Sequence, residues 1–130
     1  MCIRDSARGG IEADLTVTRI DDDQFLIVTS AASQARDYYW LREHIPDDAC
    51  AVVTDVTSGY AVIALMGPRS RTLLRELTPE DLSSAAFPFG ASRDIELGYA
   101  RVRATRMSYV GELGWELYIP SEFALSLIHI

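Results

Sequence analysis

Short turns between apolar, β-branched runs are the feature that most limits how this chain can fold. Residues 15–20 (LTVTRI) and 25–29 (FLIVT) both read as strands, and only a turn around Asp21-Asp22-Asp23 lies between them. The pattern returns at 51–56 and 60–66 (YAVIALM), divided by Thr57-Ser58-Gly59. It returns again at 93–97, 99–109 and 115–119 (WELYI), with a bend at Gly98 and a turn over 111–114. Strands joined by links this short pair antiparallel, because a parallel pair needs a crossover of about a dozen residues or more. The strand at 25–29 is expected to be buried on both faces, since it is apolar throughout. Helical spacing is expected over 34–45, with Tyr38, Leu41 and Ile45 on one face. A second helix is expected over 69–77, with Leu73, Leu74 and Leu77 inward. A short third one opens at Thr78-Pro79-Glu80-Asp81 and ends near Ala86. The order β-β-α-β-β-α-α-β-β-β gives an α+β class, antiparallel sheets with packed helices.

Composition narrows the function classes. The chain has 130 residues and 48% hydrophobic residues, enough to bury a core and too apolar for a disordered segment. The net charge of −7 argues against nucleic acid or an anionic membrane as partner, since both need a cationic footprint. No apolar run approaches the roughly 20 residues that span a bilayer. No charged-then-apolar leader opens the chain, and the expected location is cytoplasmic. Two Cys (Cys2, Cys50) and two His (His44, His129) are too few for a disulfide framework or a Cys/His zinc site. Residues 1–6 and 125–130 resemble translated adapter sequence and are set aside, leaving 7–124 as a partial domain. Arg4 and Asp5 leave together, so the charge stays at −7. Pro120-Ser121-Glu122 reads as the start of a further helix.

Two places suggest chemistry. At Gly9-Gly10, glycines that let a ligand approach the backbone precede Asp14 at the start of a strand. A carboxylate is poorly suited to a strand interior. Asp14 either caps the turn or serves as a base or cation stabiliser, and the residues alone favour the cap. In the segment 108–118 (SYVGELGWELY), Glu116 stands between Trp115 and Leu117. A carboxylate among apolar residues is costly unless paired. Its partner is either an arginine on the neighbouring strand, Arg103 or Arg106, or a ligand edge with two parallel N–H donors. The residues alone favour the arginine. His44, at a helix C-terminus, and Cys50, before a strand, read as structural. No Ser/His/Asp set is available once His129 is set aside.

At these motifs the chain resembles a known family. Gly9-Gly10-Ile11-Glu12-Ala13-Asp14-Leu15-Thr16-Val17 is similar to the GG-x-x-x-D-[LI]-x-V opening of the folate-binding aminomethyltransferase fold, the glycine cleavage T-protein and its relatives. Ala64-Leu65-Met66-Gly67-Pro68-Arg69-Ser70 resembles the family's apolar-strand-then-Gly-Pro segment, and SYVGELGWELY its [ST]-[YG]-x-GE-x-G-[WF]-E-L signature. That last form is similar to the C-terminal folate domain of flavin-dependent dimethylglycine and sarcosine dehydrogenases. The resemblance covers essentially 9–124.

It implies transfer of a one-carbon unit from an aminomethyl or iminium donor to tetrahydrofolate. It implies that Asp14 stabilises a developing cation and helps remove a proton, while Glu116 holds the pterin ring. Tyr109 and Phe89 are implied as aromatics of the folate pocket. Ser30 falls where T-proteins often carry N-A-x-N; here Ser30-Ala31-Ala32-Ser33 presents shorter hydroxyls. FAD is implied only in another part of the parent chain, and the fragment alone is expected to be inactive. A free-standing T-protein would instead take its aminomethyl group from a lipoyl carrier protein. A third reading is a non-catalytic folate-binding accessory protein of the iron–sulfur-assembly type.

Overall fold

The computed structural model describes the backbone of residues 2–5 and 8–129 and the side chains of 8–129. The chain divides into two compact units, Met1–Asp55 and Val56–Ile130. Both build antiparallel sheets with helices beside them, the α+β class expected from the turn lengths. Among the described residues, no helix is long and apolar enough to cross a membrane.

The first unit holds β1 (Cys2–Asp5), β2 (Ile11–Arg19), β3 (Phe25–Val28) and α1 (Gln34–Glu43). The sheet order is β1-β2-β3, with Val17 opposite Ile27 and Arg19 opposite Phe25. The turn between β2 and β3 closes because the Ile20 and Asp21 N–H groups both donate to the Gln24 carbonyl, at 2.8 and 3.2 Å. Arg19 reaches over it to the Asp22 carboxylate at 2.7 Å.

Two expectations fail in this unit. β3 is not buried on both faces: Phe25 is 55% exposed, and Ile27 and Val17 on the same face are exposed as well. β3 is an edge strand of a three-stranded sheet, so an apolar run is not sufficient to cover both of its sides. Residues 51–56 form no strand: among the described residues no neighbour supplies a hydrogen-bonded ladder, and Val52 is 89% exposed.

The second unit holds β4 (Tyr60–Met66), α2 (Ser70–Arg75), β5 (Ser92–Leu97), β6 (Ala100–Thr105), β7 (Gly114–Pro120) and α3 (Ala124–Ile128). The sheet order is β4-β7-β6-β5. Trp115, Leu117 and Ile119 of β7 alternate onto one face. There they join Val102 and Ala104 of β6, Ile95 of β5, Leu74 of α2, and Leu82 and Phe87 in one core cluster. Phe87 meets Trp115 edge-on, at 6.3 Å between centroids. The Arg71 and Arg106 guanidiniums lie 5.8 and 5.9 Å from the Trp115 ring centre, and Arg93 lies 4.1 Å from that of Phe87.

Three details differ from the sequence reading. α2 turns Leu74 inward but leaves Leu73 exposed, since adjacent helix positions point about 100° apart. The helix expected after Thr78 reduces to turns. Asp81 accepts the Ser83 N–H at 2.8 Å, and Ser83 Oγ accepts the Ala86 N–H at 3.1 Å. Side chains thereby take backbone donors, and only the Phe87 N–H reaches back a helical turn, to the Ser83 carbonyl. Those Ser83 donors hold the Asp81 carboxyl below its ordinary value, helped by Arg75 and Arg93. Finally, the strand expected over 99–109 ends at Thr105. Ser108 Oγ then accepts the Val110 N–H, and Gly111 takes a φ of 73°, which makes 106–113 a loop.

Candidate functional site

The two motifs read as chemical fall in different units. Asp14 and Ser30 belong to the first, and Glu116, Tyr109 and Phe89 to the second.

Asp14 is the fourth residue of β2 rather than a residue at its start. It is exposed and stands opposite Ile3 of β1, inside the strand and away from the Gly9-Gly10 turn. Gly9, five residues earlier, has a φ of 76°, a conformation that favours glycine. Ser30 Oγ donates to Ser33 Oγ at 3.0 Å, and the Ser33 N–H donates to the Ser30 carbonyl. Next to it, Thr29 donates a short hydrogen bond to Asp37, a carboxylate buried near the start of α1 that also binds Arg36 at 2.9 Å. The apolar spacing of 34–45 carries no signal for Asp37, which is buried from a polar position of the helix.

In the second unit the Gly-Pro segment and the signature segment meet. The Gly67 N–H and the Ser70 hydroxyl both donate to the Leu113 carbonyl, at 2.7 and 3.0 Å. A Cβ on Gly114 would lie 2.8 Å from Met66 Cγ and 2.9 Å from the Met107 carbonyl. Glycine there lets β7 start tight against β4 and the 106–113 loop. This tie fixes where Glu116 falls.

Glu116 is 7% exposed and lies opposite Ala64 of β4 and Thr105 of β6. Alternation puts it on the face away from the Trp115 core. Neither candidate arginine pairs with it. Arg103 binds Asp94 at 2.8 Å, and Arg106 donates to the Phe87 carbonyl at 2.6 Å. Its partner is Tyr118, two residues along the same face, whose hydroxyl donates to Oε2 at 2.5 Å. Burial pushes the Tyr118 phenol well above its ordinary value. Its hydrogen bond to Glu116 and that carboxylate's charge push the same way. Tyr118 therefore remains a donor at neutral pH. The sequence held a signal for it, since residues i and i+2 of a strand share a face, but the segment was read for neighbours of opposite charge.

Tyr109, on the 106–113 loop, is exposed and close enough to act electrostatically on Tyr118. Phe89 is also exposed. It lines a cavity of about 400 Å³ with Arg106, Ser108, Gly111 and Glu112, and neither Glu116 nor Tyr109 lines it. The structure thus groups Glu116, Tyr118 and Tyr109, and sets Phe89 at a separate concavity of the same loop. Among the described residues, no group of three or more His, Cys, Asp or Glu is placed to hold a metal ion.

What the arrangement offers is a buried carboxylate supported by a neutral phenol and not spent on a cation. Such a group accepts N–H donors strongly.

The chain matches the GCVT N-terminal domain over residues 3–129. It is 39% identical over 121 residues to a 4-methylaminobutanoate oxidase (formaldehyde-forming) of Paenarthrobacter nicotinovorans, covering 93% of this chain and 15% of that protein. It is 35% identical over 121 residues to human mitochondrial dimethylglycine dehydrogenase, covering 92% and 14%. It is 37% identical over 113 residues to an aminomethyltransferase of Listeria monocytogenes serotype 4a (strain HCC23), covering 87% and 30%. The chain therefore spans about one seventh of the oxidase and dehydrogenase relatives and under a third of the transferase. A match over nearly the whole sequence means that the chain belongs to the GCVT N-terminal domain family.

Proposed function

We propose that this chain supplies the pterin-holding part of a tetrahydrofolate-binding domain that receives a one-carbon unit from an amine-derived donor. The observation that carries the reading is Glu116: a carboxylate 7% exposed, with neither Arg103 nor Arg106 on it. A pterin edge presents a ring N–H beside an amino group, two parallel donors that suit a carboxylate. The donor set therefore fits the ligand. Bound tetrahydrofolate supplies the nucleophilic nitrogen. Glu116 orients the ring, and Tyr109 offers an aromatic surface nearby. Asp14, an exposed carboxylate on β2, is suited to hold or take up a proton at a nitrogen developing positive charge.

The parent in this reading is an FAD-dependent dehydrogenase of the dimethylglycine or sarcosine type. Support comes from relatives named for acting on 4-methylaminobutanoate and dimethylglycine. The second reading, a free-standing aminomethyltransferase using a lipoyl carrier, is favoured by the 37% identity to a protein of that name. A flavin absorbance spectrum of the full-length gene product separates the two: bound flavin is expected, and a flavin-free product would turn the assignment to the transferase. Calorimetric titration of tetrahydrofolate into the same product tests the shared claim. Saturable binding is expected, and its absence would overturn both.

A further inference from the structure

Glu116 sits in a row of polar side chains that crosses the second sheet on one face. Glu116 lies opposite Thr105, and Tyr118 lies opposite Arg103. Thr105 Oγ1 donates to Ser92 Oγ at 2.8 Å, and Arg103 is held by Asp94. The neighbouring charged group, Arg103, is thus already engaged. Tyr118 Oη donates to the Glu116 carboxylate.

A glutamate's last torsion is soft and roughly two-fold, so an unsupported carboxylate plane turns freely. An ionised carboxylate offers about four acceptor positions, and the Tyr118 hydroxyl fills one. Tyr118 is itself 3% exposed in a central strand, so its hydroxyl is a fixed point. A ligand edge with two parallel N–H donors needs both carboxylate oxygens in its own plane. An edge with one donor does not.

We propose that Tyr118 is a positioning residue that locks the Glu116 carboxylate plane, so that this site selects flat rings presenting two coplanar N–H donors over rings presenting one. The inference rests on the reading of Glu116 as the pterin-holding group. Tyr118 acts only through Glu116, so its contribution disappears where Glu116 cannot use it.

The test is calorimetric titration of the full-length gene product with tetrahydrofolate and with its analogue lacking the 2-amino group. Tyr118→Phe keeps the ring and removes the hydroxyl. It is expected to weaken tetrahydrofolate binding about tenfold, as loss of a hydrogen bond to a charged group does. Binding of the analogue is expected to change little, so the preference between the two collapses. In a Glu116→Gln background, Tyr118→Phe is expected to add nothing to the loss, and that double variant leaves no buried carboxylate without a donor. Wild-type preference in Tyr118→Phe, or a loss that adds fully to that of Glu116→Gln, would overturn the positioning role. Unchanged tetrahydrofolate affinity in Glu116→Gln alone would overturn the pterin reading instead.

Discussion

The two units use similar apolar strands to different ends. In the first, Val17 (41% exposed), Phe25 and Ile27 leave one face of the sheet exposed, and Asp14 stands exposed on the other. In the second, four strands share one cluster around Trp115, and the opposite face of β7 holds Glu116 and Tyr118 buried. An extra strand and a glycine-tight junction separate a sheet whose apolar face is covered by a core from one that leaves apolar residues in water. Each unit buries a carboxylate, and the two are held differently: Asp37 of the first is tied to Thr29 and to the Arg36 cation, whereas Glu116 of the second takes the neutral Tyr118 hydroxyl. Asp14 of the first stands exposed on its strand.

The largest expected effect breaks the second unit alone. Trp115→Ala should cost about 3–5 kcal/mol, the usual loss for a buried aromatic, whereas Val17→Ala should stay within about 1 kcal/mol. Urea unfolding of each variant checks this, and equal losses would erase the contrast between the units. Next is Gly114→Ala. The added Cβ meets a backbone carbonyl as well as Met66, and the expected cost is about 1–3 kcal/mol. Thermal melts read it, and a neutral result would mean that β7 does not need its close start. The smallest effect concerns alkaline pH. The phenol of Tyr118 is raised above its unfolded value of about 10, so the folded state holds its proton where the unfolded state releases it. Stability from this group is complete below about pH 10 and falls as pH rises beyond it. Tyr118→Phe should lose less stability above pH 10 than wild type, since every other tyrosine is common to both. Parallel alkaline limbs would contradict the buried Tyr118–Glu116 bond.

Much of this was legible in the chain. Turn length alone gave the antiparallel class, and the positions of β4, β5 and β7 follow from alternation and from Gly67 and Gly98. Residues 51–56 were misread because β-branched composition does not guarantee a partner strand. The helix after Thr78 was misread because Asp81 and Ser83, good residues for a helix start, close local turns just as readily. At the site, the cost of burying Glu116 is readable, and strand alternation puts Tyr118 on its face; that this neutral phenol rather than a charged neighbour across strands is the donor follows only from the fold. Asp14 was placed at a strand's start because β2 begins four residues earlier than its β-branched run.

We propose ligand holding for Glu116 and a part in the one-carbon chemistry for Asp14, and both roles are tested most directly by titrating tetrahydrofolate into the full-length gene product carrying either Glu116→Gln or Asp14→Asn. Glu116→Gln, which loses one acceptor at the donor edge, should weaken binding by about tenfold or more. Asp14→Asn should leave binding nearly unchanged and lower the one-carbon transfer rate. Wild-type affinity in Glu116→Gln, or a loss of affinity confined to Asp14→Asn, would contradict these roles.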